Sequence, residues 1–151
     1  DTYAGGAGRI LDSQECDRVF APESGAHRSE VECRLEAASL HSLPLEPAEL
    51  WEGVSVRQDQ ASGALMLRIG EGEVAFLTSS GDAAGQPLAC SIAVTPAGLT
   101  SPQADTVLMT AEDTRAAAML AAQGAAVYMA SQDGALCIAS RGGSSMTIRR
   151  G

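Results

Sequence analysis

The sequence predicts one mainly β domain of α+β type: an antiparallel β-sandwich or flattened barrel with one α-helix near 111–123. Three observations lead there. Segment after segment alternates apolar and polar residues with period two, as half-buried strands do. Short glycine-containing turns separate the segments, which is the pattern of antiparallel hairpins. A single Ala-rich stretch carries helix start and stop signals. A chain of 151 residues fits one ordinary domain, so residues 1–151 are expected to fold together, with residues 1–8 as a flexible N-terminal arm.

The first alternating run is "EVECRLEA". Val31, Cys33, Leu35 and Ala37 share one phase; Glu30, Glu32, Arg34 and Glu36 share the other. Ser29 and Glu32 also read as a capping box, but four consecutive alternations favour a strand. In "SLPLEPAELWEG" the prolines Pro44 and Pro47 break regular structure. "PAELWEG" fits one helical turn closed by Gly53, with Trp51 packed over the edge of the core.

Next, "GVSVRQD" and "ALMLRIG" flank Ser62-Gly63 as a hairpin, with Leu65, Leu67 and Ile69 in phase. "GEG" at 70–72 punctuates, and "EVAFLTS" follows with Val74, Phe76 and Thr78 in phase. "LACSIAVT" alternates Leu88, Cys90, Ile92 and Val94 with small residues. After a loop and the short "TVLM" comes "TAEDTRAAAMLAAQG", the expected helix. Thr110 is its N-cap, Glu112 and Asp113 suit the positive helix start, and Gly124 marks its stop. Met119 and Leu120 are its only large anchors, so it should lie close against a sheet. "AVYMASQDGALCIAS" reads as a hairpin about Asp133-Gly134, and "MTIRR" as a short terminal strand.

Composition narrows the function. Apolar residues make up 45% of the chain but aromatics only 3%, so the core is aliphatic and thin. The formal charge of -9 is uneven, with residues 1–52 carrying -7 and residues 53–151 carrying -2. The last acid is Asp133, after which only Arg141, Arg149 and Arg150 are charged. Nucleic-acid binding normally needs a cationic surface and stacking aromatics, so it is disfavoured. No run of eighteen apolar residues exists, so no membrane-spanning helix is expected. Lysine and asparagine are absent, which points to a GC-rich, bacterial coding sequence and rules out N-x-[ST] glycosylation.

Cys16, Cys33, Cys90 and Cys137 are even in number and allow three pairings. None lies in a C-x-x-C, so a thioredoxin-like pair is disfavoured. Cys16, His27 and Cys33 lack the tight spacing of a zinc knuckle, so neither metal nor other cofactor is expected. Disulfides Cys16–Cys33 and Cys90–Cys137 are the expectation. A first residue Asp1 suits a cleaved precursor. Together these suggest a periplasmic or extracellular location.

Catalytic signals are weak. "YAGGAGR" lacks the βαβ context of a dinucleotide loop, no G-x-S-x-G elbow occurs, and "SQDG" lacks calcium-ligand spacing. Nothing marks an enzyme. The reading is an exported, disulfide-stabilised binding or assembly module whose partner is a protein or envelope component. Contact would fall on the acidic N-terminal third or on an exposed strand edge such as "MTIRR". Trp51, His27, His41, Arg149 and Arg150 are the candidate binding residues. One alternative is a small hydrolase or ligand-binding β-barrel using His27 or His41; another is a structural subunit of a homo-oligomer.

Overall fold

The computed structural model describes residues 19–21, 40–77, 89–96, 103–134, 136–140 and 146–150. It divides the chain into two compact units, Asp1–Leu43 and Pro44–Gly151. In the first unit, β1 (Val19–Ala21) pairs in parallel with β2 (Leu40–Ser42). "EVECRLEA" and the N-terminal arm lie outside the described residues.

The second unit is built on a seven-stranded sheet whose spatial order follows the chain. Its strands are β3 (Ala48–Trp51), β4 (Val54–Gln58), β5 (Leu65–Ile69), β6 (Gly72–Phe76), β7 (Ala89–Thr95), β8 (Gln103–Met109) and β9 (Ala126–Met129). Two-residue turns at Glu52-Gly53 and Gly70-Glu71, with a longer turn over 59–64 between them, keep the first four strands antiparallel. Gly70 supplies the positive φ of 61° that such a turn requires. From β6 onward every pairing is parallel. Val74, Ile92, Thr106 and Ala126 line up across the four strands, as do Phe76, Val94, Leu108 and Tyr128. These rows stack like the rungs of a β-solenoid.

The expected antiparallel sandwich or barrel is therefore incorrect: the sheet is open and mixed. Alternation within a segment establishes a strand but not the direction in which the chain returns to it. Parallel neighbours need a connection that carries the chain back along the sheet. The link after Met109 does this through α1 (Thr114–Ala122).

The sheet has a layer on each face. Helix α1 covers Ala93, Val107 and Met109 with Leu120, which is 4% exposed, while Ala116 and Ala117 permit close approach. The hairpin of β10 (Leu136–Ser140) and β11 (Met146–Arg150) covers the opposite face, setting Leu136, Ile138, Met146 and Ile148 against Val74, Ile92 and Leu108. Covering both faces explains why consecutive residues are buried: Val107, Leu108 and Met109 are 0%, 7% and 1% exposed. Each such side chain contributes about 1.5–3 kcal/mol on burial. Met146 lies directly over Gly72 in β6, in the space a Cβ there would occupy.

Three further expectations change. "PAELWEG" is not a helical turn: β3 pairs with β4, with an irregularity between Glu49 and Trp51. Pairing along the edge overrides the helix-forming tendency of Ala, Glu and Leu. Helix α1 starts later than expected, with Asp113 as N-cap accepting from the Ala116 N–H at 2.9 Å. Thr110 lies too far ahead of Thr114 to cap the helix, and its N–H bonds the Thr95 carbonyl at 3.0 Å, extending the β7–β8 contact. Asp133-Gly134 does not close a hairpin either. A short α2 (Ala130–Asp133) intervenes, pinned by the Asp133 carboxylate accepting from Met129 N–H at 2.9 Å. β9 and β10 consequently enter different sheets.

Candidate functional site

Two places in the second unit gather unusual surface chemistry. The first is a polar patch on the helix-side face of the antiparallel strands. Arg68 on β5 is the register partner of Glu73 on β6. Arg57 on β4 reaches Glu73 at 3.6 Å and Asp59 at 3.5 Å. Asp59 accepts from the Ser62 N–H at 2.9 Å and from the Ser62 hydroxyl at 2.7 Å, fixing the β4–β5 turn. Burial raises the Asp59 pKa, but the Ser62 hydroxyl, the Ser62 N–H and Arg57 outweigh it, so the carboxyl lies below its usual range.

Beside this network is an open depression of about 310 Å³ lined by Arg68, Glu71, Glu73, Cys90 and Ser91. The Ser91 hydroxyl oxygen accepts from the Glu73 N–H at 3.3 Å. Burial, then the nearby charges of Glu73 and Asp105, push the Cys90 thiol up to about 11; a hydrogen bond from the Ala75 backbone offsets part of that. At neutral pH Cys90 is therefore a protonated thiol, unsuited to nucleophilic attack. Its neighbours, one guanidinium and two carboxylates, make a hydrated, nearly charge-balanced surface. Among the described residues, no group of three or more His, Cys, Asp or Glu is placed to hold a metal ion.

The second place is the edge of the sheet at β3. Trp51, the only tryptophan in the chain, is 64% exposed, and Leu45 is 55% exposed. Glu46, Glu49 and Glu52 are exposed around them. The expected packing of Trp51 over the core is thus incorrect. A large apolar side chain left in water is the informative exception to burial, and Trp is prominent among residues that anchor interfaces.

The other expected residues scatter. His41 lies exposed on β2, its ring 5.6 Å from that of Phe20. Arg149 is exposed on β11, and Arg150 ends that strand. His27, Cys16 and Cys33 lie outside the described residues.

Disulfide bonding and the β-sandwich both need correction. Cys90 and Cys137 carry thiols, and among the described residues no cysteine pair is bridged. The sheet itself separates the two. Cys90 packs with the clusters of the helix-side face, whereas Cys137 is exposed on β10, whose Leu136 and Ile138 cover the other face.

Sequence reasoning passed over Arg57, Arg68 and Glu73. The signal was present, because all three occupy the polar phase of hairpin-linked strands, where cross-strand charge pairs form. No protein-family model matches the chain, no curated protein matches it, and no solved structure matches its fold.

Proposed function

We propose that the chain is a protein-binding or assembly module that recognises an extended segment at the open edge β3, with Trp51 as anchor. The carrying observation is the 64% exposure of the sole tryptophan on an outermost strand. Among the described residues β3 pairs with β4 alone, and the outermost strand of a sheet is where an extended partner adds by β-augmentation. Leu45 extends the apolar contact, and the surrounding glutamates select against acidic partners. With Cys90 and Cys137 unbridged, that pair gives no support for export, and the proposal concerns the interaction alone.

The test compares wild type with Trp51→Ala in affinity capture from the source cells, followed by titration of each captured protein. The expected result is a partner that Trp51→Ala loses by about 2 kcal/mol, or some thirtyfold, as an anchoring Trp requires. Because the chain has one Trp, that partner should also shift its emission to shorter wavelength. Equal affinity of both proteins for every captured partner, with unmoved emission, would end the proposal.

A further inference from the structure

At the end of the sheet opposite β3, the structure assigns Asp133 the part of an edge cap. Its carboxylate holds the outer side of β9 and keeps a second copy of this chain from pairing there. The need for a cap is written in the sequence. β9 reads Ala126-Val127-Tyr128-Met129, with no charge and no proline, and among the described residues it pairs with β8 alone. The outward N–H and C=O groups of an outermost strand template a further strand unless charge, proline, a bulge or a cover prevents it. β9 lacks the first two, and its register with β8 is unbroken, which leaves the cover. Two copies of β9 meeting edge to edge would oppose no like charges, so the strand itself does not resist self-pairing.

Backbone direction shows where the cap acts. Successive N–H groups along a strand point to opposite sides within the sheet. The Thr110 N–H turns to β7, where it bonds the Thr95 carbonyl at 3.0 Å, so the Met109 N–H turns to β9. In a parallel ladder, the residue opposite one that bonds across the pair directs its own N–H away. Met109 is opposite Met129, and the Met129 N–H accordingly lies on the outer edge. It donates to the Asp133 Oδ2 at 2.9 Å.

The chain delivers that carboxylate by a single turn. α2 follows Met129 directly and is closed by the Gly134 N–H on the Ala130 carbonyl at 3.2 Å, which returns residue 133 to the side of residue 129. Gly134, at a φ of 75°, then sends the chain on to β10 in another sheet. A strand approaching β9 meets a donor already taken and a carboxylate in its path. The inference concerns β9 alone and stands whether or not β3 is a binding edge.

Amide exchange, and sedimentation velocity over a concentration series, test it in four proteins checked for native circular dichroism. They are wild type, Asp133→Ala, Asp133→Asn and Ala126→Lys/Asp133→Ala. The Met129 amide should exchange about tenfold more slowly in wild type than in Asp133→Ala, as one hydrogen bond to a charged acceptor implies. Wild type and Asp133→Asn should sediment alike, because an amide oxygen still accepts from Met129. Asp133→Ala should associate about tenfold more strongly than either, by antiparallel pairing of two β9 strands in a two-fold dimer. A lysine at the exposed Ala126 charges the bared edge and should undo that gain. A wild-type Met129 amide that exchanges at the rate of an unprotected one overturns the inference, even where Asp133→Ala fails to fold. So does a native Asp133→Ala that associates no more than wild type, or association that the lysine does not reverse. Asp133→Asn associating like Asp133→Ala would make charge the guard in place of the hydrogen bond, and would equally overturn it.

Discussion

The two halves of the seven-stranded sheet solve the same problem differently. In the antiparallel half, β3 to β6, tight turns join the strands and one face carries Arg57, Arg68 and Glu73 in contact with solvent. In the parallel half, β6 to β9, helix α1 and the β10–β11 hairpin take the two faces, and Ala93, Val107 and Met109 are 0%, 0% and 1% exposed. The connection explains the difference. A two-residue turn adds no cover, so one face can remain wet; a crossover brings its own layer and leaves little room for charge. Exposed charge accordingly gathers on the antiparallel half, beside Met66 and Ala75, which are 1% and 0% exposed on the same face.

The sharpest way to break this comparison is to remove the anchor of the parallel half. Leu120→Ala takes away the one fully buried side chain of α1 and should cost about 3 kcal/mol, read as a lower urea midpoint with unchanged slope. Met119→Ala, one residue earlier but 57% exposed, should change stability by less than about 0.5 kcal/mol. Similar losses for both would mean that α1 does not cover the sheet.

The seam between the halves offers the next test. Cys90 lies there, its pKa raised from 9.0 to about 11 by burial and then by Glu73 and Asp105. At pH 8 it should hold about a hundredth of the thiolate of an ordinary thiol. Iodoacetamide followed by mass mapping should therefore modify exposed Cys137 far sooner. The sign of the pH effect follows from the same shift. Unfolding frees Cys90 to lose its proton, so stability linked to this thiol is complete below about pH 9 and is lost as pH rises towards 11. Cys90→Ala should decline less steeply over that range. Equal labelling of both cysteines in the folded protein would contradict a buried seam.

What the sequence disclosed follows the same division. "VSVRQ", "LMLRI" and "EVAF" were legible as strands and as hairpins, because their partners are adjacent and glycine fixes the turns. "CSIAVT" was legible as a strand but not as a parallel one, since its direction depends on where a twelve-residue link leads rather than on its own alternation. β3 was hidden because Pro47 and Gly53 imitate helix ends around good helix formers. The Arg57–Glu73 pair spans an intervening strand, so only the assembled register reveals it. Cys90 and Cys137 were paired by cysteine parity, and parity does not say on which side of the sheet each segment is placed.

A smaller effect is expected where the hairpin layer meets β6. Gly72→Val would place methyl groups in the space of the Met146 side chain, and overpacking of this kind costs about 1–2 kcal/mol. Met146 contacts Gly72 through the flexible end of its side chain, so Gly72→Ala should cost less. Combining Gly72→Val with Met146→Ala should recover part of the loss, giving a double-mutant cycle with measurable coupling. Strict additivity would place the β10–β11 hairpin elsewhere.

The mildest test bears on the wet face. Asp59→Ala removes the acceptor of the Ser62 N–H and hydroxyl together with the ion pair to Arg57, a loss of about 1 kcal/mol at neutral pH. The Asp59 pKa lies below its ordinary 3.8, so the carboxylate stabilises the folded chain above that pH, and the benefit disappears as pH falls through the lowered value. Wild type and Asp59→Ala should therefore converge in strong acid, as read from urea midpoints at descending pH. Convergence belongs to a charged turn open to water: it places the Asp59 contribution in the β4–β5 turn and leaves the packed half of the sheet untouched. A gap independent of pH would instead assign the loss to packing, and the two halves would then differ less than their exposure implies.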